Sequence, residues 1–405
     1  MKVLFLSPHF PAEMPQFTRG LAEVGAEVWG LGDAQLQSIP PSVRRYLHGY
    51  IRIPNLLDPQ KAMAAALPQL HGMGFDRIEC LWEVGVELAA MLRQALHVPG
   101  QMPEDARAFR DKDVMKQRLE RAGLRVPRHA SAKGKRQISE AAERVGYPLI
   151  VKPIDGAGTR DTFKCENHAE LMAIMPIAQH LPEVSVEEFI YGEEFTYDTV
   201  SINGVPAFDS IAQYHPKPLE SRTQQWISPA QIVLRTPHIP ELAPAVQYGR
   251  DVLKAMGMGT GFTHMEWFRT PSGEIVFGEI AARAPGGKLV DQMNYANEFD
   301  VYREWARAVC WHSFEAKIHR AYHVACVFKR AQGQGKIRAI EGLERIREQL
   351  GHFLVAEDLL QPGTPRRDWK QTLLSDGYLI ARHPNYATLV EMMHVLVNDV
   401  RMYAA

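Results

Sequence analysis

The stretch THMEWFRTPSGEIVFGEIAARAPGG, residues 263–287, decides how the middle of this chain folds. Pro271-Ser272-Gly273-Glu274 has turn chemistry, and FTHMEWF and EIVFGEI on either side alternate as strands do, which predicts a β-hairpin. With Pro271 and Glu274 closing the turn, pairing runs outward in register and sets Glu266 directly across from Glu279. Like charges facing each other across a ladder are destabilising unless a proton or a cation lies between them. The pair is therefore either a shared-proton site or a clamp for a hard metal ion. A slip of one residue would send the two carboxylates to opposite faces.

Alternation also puts His264 on the face of Glu266 and Trp267 on the other. Trp267 reads as core, and His264 either as a neighbour of a metal or as an ordinary core or surface histidine. Beyond the second strand, Arg283 precedes Ala-Pro-Gly-Gly and Lys288. A guanidinium can grip a carboxylate through two parallel hydrogen bonds, and glycines let the backbone approach a substrate. A loop of merely solvated cations would have the same composition.

Further upstream, the apolar strand YPLIVKP carries Lys152 near its end and runs into the loop DGAGTRD, with Gly156 and Gly158. Exposed backbone N–H groups and one ammonium make a phosphate cradle, although strand-lysine-proline-turn is also an ordinary surface edge. The loop does not match the GxxxxGK[ST] pattern, so a nucleotide site here is of another type. VEEFIYGEEFTYD follows. Backbone groups at 188–190 could meet a base edge while Glu194 reaches a ribose hydroxyl, or the segment is an acidic strand turn facing water. Segment 213–236 is polar and irregular and reads as a loop, with His215, Lys217 and Arg222 as candidate phosphate contacts.

The remainder bounds the class. The 405 residues imply two to four domains or subdomains. A formal charge of -1 gives no whole-chain field for nucleic acid or an acidic membrane, so neither is an expected partner. Cys80, Cys165, Cys310 and Cys326 form no CxxC pair, which argues against a zinc site or disulfide framework. The N-terminal apolar run is too short for a signal peptide and no run could span a bilayer, which makes a cytoplasmic enzyme the expectation. KVLFL and the segment to Gly32 read as strand, helix and strand, a βαβ pattern that recurs more weakly around DRIECLW. Asp111 is the expected N-cap of the helix DKDVMKQRLERAG, and TLVEMMHVLVNDVRMY the expected closing helix.

Taken together and in order, Lys112, YPLIVKP with its glycine-containing loop, VEEFIYGEEF, the HMEWF strand and the GEIAAR strand resemble the ATP-grasp superfamily. That group includes biotin carboxylase, D-alanine:D-alanine ligase and the L-amino-acid ligases. The resemblance covers about residues 100–310 and implies α/β and α+β architecture in three parts. These are a Rossmann-like parallel domain at 1–100, an ATP-grasp domain at 101–315 and a small α+β domain at 316–405. The middle part would divide into a lid-bearing subdomain, 101–190, and a metal and substrate subdomain, 191–315.

The resemblance also implies residue roles. Lys112 and Lys152 would hold ATP phosphates, with Lys152 also serving phosphoryl transfer. Asp155, Gly156, Ala157, Gly158 and Thr159 would fold over the triphosphate. Glu187, with the segment Glu188, Phe189 and Ile190, would hold adenine, and Glu194 the ribose. Glu266 and Glu279 would hold Mg²⁺, or Mn²⁺ in its place, and Arg283 would face the reacting carboxylate or the developing oxyanion. The implied activity joins a carboxylate to an amine, an amino acid for instance, through an acyl phosphate, in a chain that could be a homodimer. Activation of bicarbonate is the nearer alternative. One departure stands out: the usual last-strand pattern is Glu-x-Asn-x-Arg, and here Ala281 occupies the Asn position. That removes an oxygen ligand and opens a third reading, a nucleotide-binding protein with degraded catalysis.

Overall fold

The computed structural model describes residues 1–154, 161–221, 223–369, 372 and 374–405. Its first sheet is parallel, built from β1 (Lys2–Leu6), β2 (Glu27–Gly32), β3 (Gly49–Arg52) and β4 (Arg77–Glu79) in the order β3-β2-β1-β4. Val3 to Leu6 are fully buried, as a parallel strand covered on both faces requires. Strand order reverses beside β1, so the loops after β1 and β4 flank a crevice at the carboxyl ends of the strands. The helix Met14–Glu23 packs this sheet against the helix Val301–Trp311. Phe17 meets Tyr302 and Trp305 edge-on at centroid distances of 4.8 and 5.0 Å. Gly20 permits the approach: a Cβ there would lie 2.7 Å from the Tyr302 carbonyl oxygen.

A second, antiparallel sheet contains β5 (His129–Ala132), β6 (Leu149–Pro153), β7 (Phe163–Cys165) and β8 (Val184–Glu188), in the order β5-β8-β6-β7. The third and largest has eight strands. Its first part comprises β9 (Glu193–Ile202), β10 (Val205–His215), β11 (Ala230–Val233), β12 (Gly261–Arg269), β13 (Ile275–Ala281) and β14 (His323–Phe328). Two short strands, β15 (Gln332–Gly333) and β16 (Ile337–Glu341), precede its last members, β17 (Leu354–Leu359) and β18 (Gly377–His383). The order is β13-β12-β9-β10-β11-β14-β18-β17, so residues beyond 316 supply three strands to the same sheet as the hairpin. β19 (Arg401–Ala404) lies between β15 and β16 in a separate three-stranded sheet.

Asp111 caps its helix by accepting from the amides of Asp113 and Val114, as expected. Two local expectations change. Segment 213–236 is not all loop: the end of β10, a short turn of helix at Pro218–Ser221 and the buried strand β11 lie in it. Four apolar-compatible residues amid polar sequence show no period, and β11 is held by pairing with β10 and β14. The closing helix spans Tyr386–Asp399, and Arg401–Ala404 leave it because β16 and β15 pair with them. The four cysteines are buried free thiols, and no helix among the described residues is long and apolar enough to cross a membrane.

Candidate nucleotide and metal site

Glu266 and Glu279 are paired across β12 and β13, but the turn alone does not put them there. The loop is the three-residue segment Pro271–Gly273: Thr270 faces Glu274 with its amide donating to the Glu274 carbonyl at 3.0 Å, and Gly273 has φ +87°. Pairing from this turn runs Arg269↔Ile275 to Trp267↔Phe277, a register that would set Glu266 against Gly278. A β-bulge between Glu266 and Trp267 absorbs Gly278 and restores Glu266↔Glu279. Glycine is needed at the bulge because a Cβ on Gly278 would lie 2.8 Å from the Glu266 carbonyl oxygen. The expected pairing is present, and the expected turn is displaced by one residue.

Around the pair, the sheet presents one polar face. Glu266 Oε1 accepts from the Tyr214 hydroxyl at 3.1 Å and lies 3.7 Å from His264 Nε2. His264 Nδ1 is 2.6 Å from Asp198 Oδ1, and Asp198 Oδ2 accepts from Thr196 Oγ1 at 2.7 Å. Burial opposes protonation of His264, but Asp198 outweighs it and raises the imidazole to about 9. Burial likewise pushes Glu266 up, and the neighbouring His264 overcomes it, leaving the carboxylate below its ordinary value. Ala281 lies across from His264 in register, so the imidazole is opposite the position where the resemblance expects Asn. Trp267 is fully buried on the opposite face and stacks on Phe195 at 4.7 Å, as expected for core.

Lysines approach from the other side. Lys112, the first residue of its helix, places Nζ 3.4 Å from Glu279 Oε2. Glu187, expected to hold a base, instead has its carboxylate between two ammonium groups, Lys116 Nζ at 2.7 Å and Lys152 Nζ at 2.9 Å. Burial would raise Glu187, but the two lysines hold it far below the usual carboxylate range. Burial lowers Lys116 to about 8, against the attraction of Glu187. Lys152 goes the other way: despite burial, Glu187 and Glu279 raise it.

The hinge between β8 and β9 is fixed locally. The amides of Glu188 and Phe189 donate to the carbonyls of Arg128 (2.8 Å) and Pro148 (3.1 Å), so neither amide is open to a base edge. The Glu188 carboxylate takes Arg125 Nη2 at 3.2 Å. The Phe189 ring lies beneath Lys164 Nζ at 3.9 Å and near Lys217 Nζ at 6.0 Å. Gly192 allows the hinge to cross β12, since a Cβ there would fall 2.4 Å from the Arg269 carbonyl oxygen. Glu194 is buried, and burial together with Glu266 raises it to about 8 against Lys217 and Lys152. Lys217 is thus beside the site, whereas His215 alternates from Tyr214 onto the far face of β10. Arg222 and the expected phosphate loop, Asp155, Gly156, Ala157, Gly158 and Thr159, lie outside the described residues.

Residues 117–287 match the family model of the ATP-grasp domain. This chain carries an ATP-grasp domain. It is 29% identical over 222 residues to the L-arginine-specific L-amino acid ligase of Bacillus subtilis, covering 53% of each chain. It therefore spans about half the length of that relative. Its structure is similar to that of the L-amino acid ligase from Bacillus licheniformis, with a TM-score of 0.80 at 18% identity over 100% of this chain and 99% of the other. It is also similar to the biotin carboxylase domain dimer of the Hydrogenobacter thermophilus 2-oxoglutarate carboxylase, solved with MgADP, ADP and bicarbonate. That comparison gives a TM-score of 0.69 at 15% identity over 99% and 91% of the two chains. These likenesses establish an ATP-grasp fold with a parallel N-terminal sheet and a large antiparallel sheet.

Several contacts at the ATP-grasp site escape a reading of the sequence. Arg283 Nε donates to Glu83 Oε2 at 2.6 Å, joining the loop after β4 to the end of β13 across 200 residues. Part of the guanidinium expected to face a substrate carboxylate is thus already paired. Lys288 is 3.1 Å from Asp291 Oδ2. Lys116 carried one legible sign, its place one turn after Lys112 on the same helix face. Asp198 and Tyr214 read only as members of alternating strands. Among the described residues no three or more His, Cys, Asp or Glu side chains converge as a metal-holding group. Two facing carboxylates still suit Mg²⁺, which is commonly held by one or two carboxylates with phosphate and water completing its shell.

Proposed function

We propose that this chain is an ATP-dependent ligase that joins a carboxylate to an amine through an acyl phosphate, releasing ADP and phosphate. The observation that carries the reading is the bulged hairpin, which sets Glu266 and Glu279 face to face with Lys112 beside them. A magnesium ion held there would supply charge neutralisation during phosphoryl transfer. Glu266 and Glu279 supply its oxygen ligands. Lys112 and Lys152 hold phosphate oxygens, and Glu187 anchors the Lys152 ammonium at 2.9 Å. The hinge through Ile190 receives the base, and Glu194 the ribose. Arg283, held by Glu83, offers its remaining N–H groups to the acid or to the oxyanion formed when the amine attacks.

An unactivated carboxylate repels nucleophiles, and converting its oxygen to phosphate makes a leaving group; excluding water then protects the acyl phosphate from hydrolysis. The likeness to the L-amino acid ligases supports an amino acid as one substrate. The test is ADP release by the purified protein with ATP and Mg²⁺, against pooled amino acids, small organic acids and bicarbonate, with Glu279→Gln as control. Stimulation by an acid and amine pool that vanishes in the variant is the expected result. Stimulation by bicarbonate alone would replace the ligase with a carboxylase, and ATP binding without turnover in any pool would leave a binding protein.

A further inference from the structure

Behind the hinge, on the face of the large sheet turned away from Glu266, lies a groove of about 900 Å³. Alternation makes its floor: Glu193 and Phe195 of β9, Gln213 of β10 and Arg269 of β12 point into it, whereas Glu194 and Tyr214 belong to the nucleotide face. The floor is a connected relay. Arg269 Nη2 donates to Glu193 Oε2 at 2.7 Å, Gln213 Nε2 to Glu193 Oε1 at 2.8 Å, and the Tyr386 hydroxyl to Gln213 Oε1 at 3.0 Å. It runs from the first residue after the hinge to the first turn of the helix Tyr386–Asp399. Leu234, Ile239 and Leu242 supply an apolar wall.

The charges in this groove are unevenly satisfied. Arg269 is neutralised by Glu193, and Arg320 donates through both Nη atoms to Asp209, at 3.1 Å to its carbonyl and 2.6 Å to its carboxylate. Arg235 differs. Its amide donates to His323 Nδ1 at 2.9 Å and its Nε to the Arg320 carbonyl at 2.8 Å, which fixes the side chain. Arg235 is exposed, and its two Nη groups have no protein partner among the described residues and face water. His323 itself is uncharged at neutral pH, since burial and then Arg235 lower it to about 4. Of the acidic lining residues, Glu193 is engaged and Glu241 is exposed to water.

A preformed groove of this size, with an apolar wall of Leu234, Ile239 and Leu242 beside one oriented guanidinium edge, has the composition of a small-molecule site. We propose that it binds a small organic anion with an apolar body, its charged head on Arg235 and its body against Leu234, Ile239 and Leu242, independently of the nucleotide site. This does not depend on the ligase reading.

The test is a fluorescence titration of the full chain with anilinonaphthalene sulfonate, which combines an apolar body with one anionic head. The dye is expected to remain bound at saturating MgADP, to bind Glu279→Gln unchanged, and to be displaced by octanoate but not by inorganic phosphate. Arg235→Ala should weaken it roughly tenfold. Ile239→Asp, at a partly exposed position that tolerates change, should weaken it comparably. Displacement by MgADP, or affinities within about twofold of wild type in both groove variants, would overturn the proposal. Equal displacement by phosphate and octanoate would reduce the groove to an inorganic anion site and would overturn it as well.

Discussion

The two faces of the strands β9, β12 and β13 have opposite energetics. On one, Phe195, Tyr197, Met265, Trp267, Phe277 and Ile280 are buried in a single apolar cluster. On the other, Glu194, Asp198, Glu266 and Glu279 crowd four carboxyl groups among Thr196, Tyr214 and His264. The first face stabilises the sheet by removing apolar surface from water. The second carries like charges that a fold selected for stability alone would not bring together. The same backbone serves both because alternation separates them, and the bulge at Gly278 corrects the alternation where the turn would have spoiled it.

Substitutions on each face should therefore separate stability from binding. Trp267→Ala removes the largest buried ring of the apolar face and should cost about 3–5 kcal/mol in chemical denaturation. Lys116→Met tests the buried Lys–Glu–Lys group next to the polar face. Removing one partner of a buried pair costs about 3–5 kcal/mol, and because Lys152 still compensates Glu187, the loss should fall at the low end. A smaller loss, about 1–3 kcal/mol, is expected for Gly278→Ala, whose Cβ must displace the Glu266 backbone. Magnesium-dependent nucleotide binding should fall with it. If that variant loses stability but keeps full binding, the bulge does not position the pair.

Glu194→Gln should have the smallest effect near the ordinary carboxylate range, where the amide replaces a protonated carboxyl, and one that grows with pH. The folded-state pKa of Glu194 is raised to about 8, so between the ordinary carboxylate range and about pH 8 the folded state holds a proton that the unfolded state has lost. Stability from this group falls as pH rises through that window. The variant should gain in denaturation midpoint relative to wild type from about pH 5 to about pH 8. A flat difference would show that Glu194 is not under strain from burial and Glu266.

The contrast also explains what the sequence made legible. Local signals carried far: the apolar run at Val3–Leu6, the Asp111 cap and the alternation that buries Trp267 follow from short-range rules, whereas the pairing of Glu266 with Glu279 was reached through a turn one residue off that the bulge offsets. The bulge was not legible, because Gly278 within EIVFGEI looks like any strand glycine until the Glu266 carbonyl is seen against it. Pairings between distant segments were also hidden. Nothing near Arg283 announces Glu83, and nothing near Glu187 announces Lys116. β11 and β19 depend on partners rather than on their own sequence, which is why one read as loop and the other as helix.

The central claim is that Glu266 and Glu279 act together as a magnesium clamp. Its most direct test is the affinity for a non-hydrolysable ATP analogue, measured with and without Mg²⁺ in wild type, Glu266→Gln and Glu279→Gln. Magnesium should tighten binding roughly tenfold in wild type, about 1.4 kcal/mol, and in neither variant, with metal-free affinity and stability little changed. Full magnesium tightening in both variants would contradict the account.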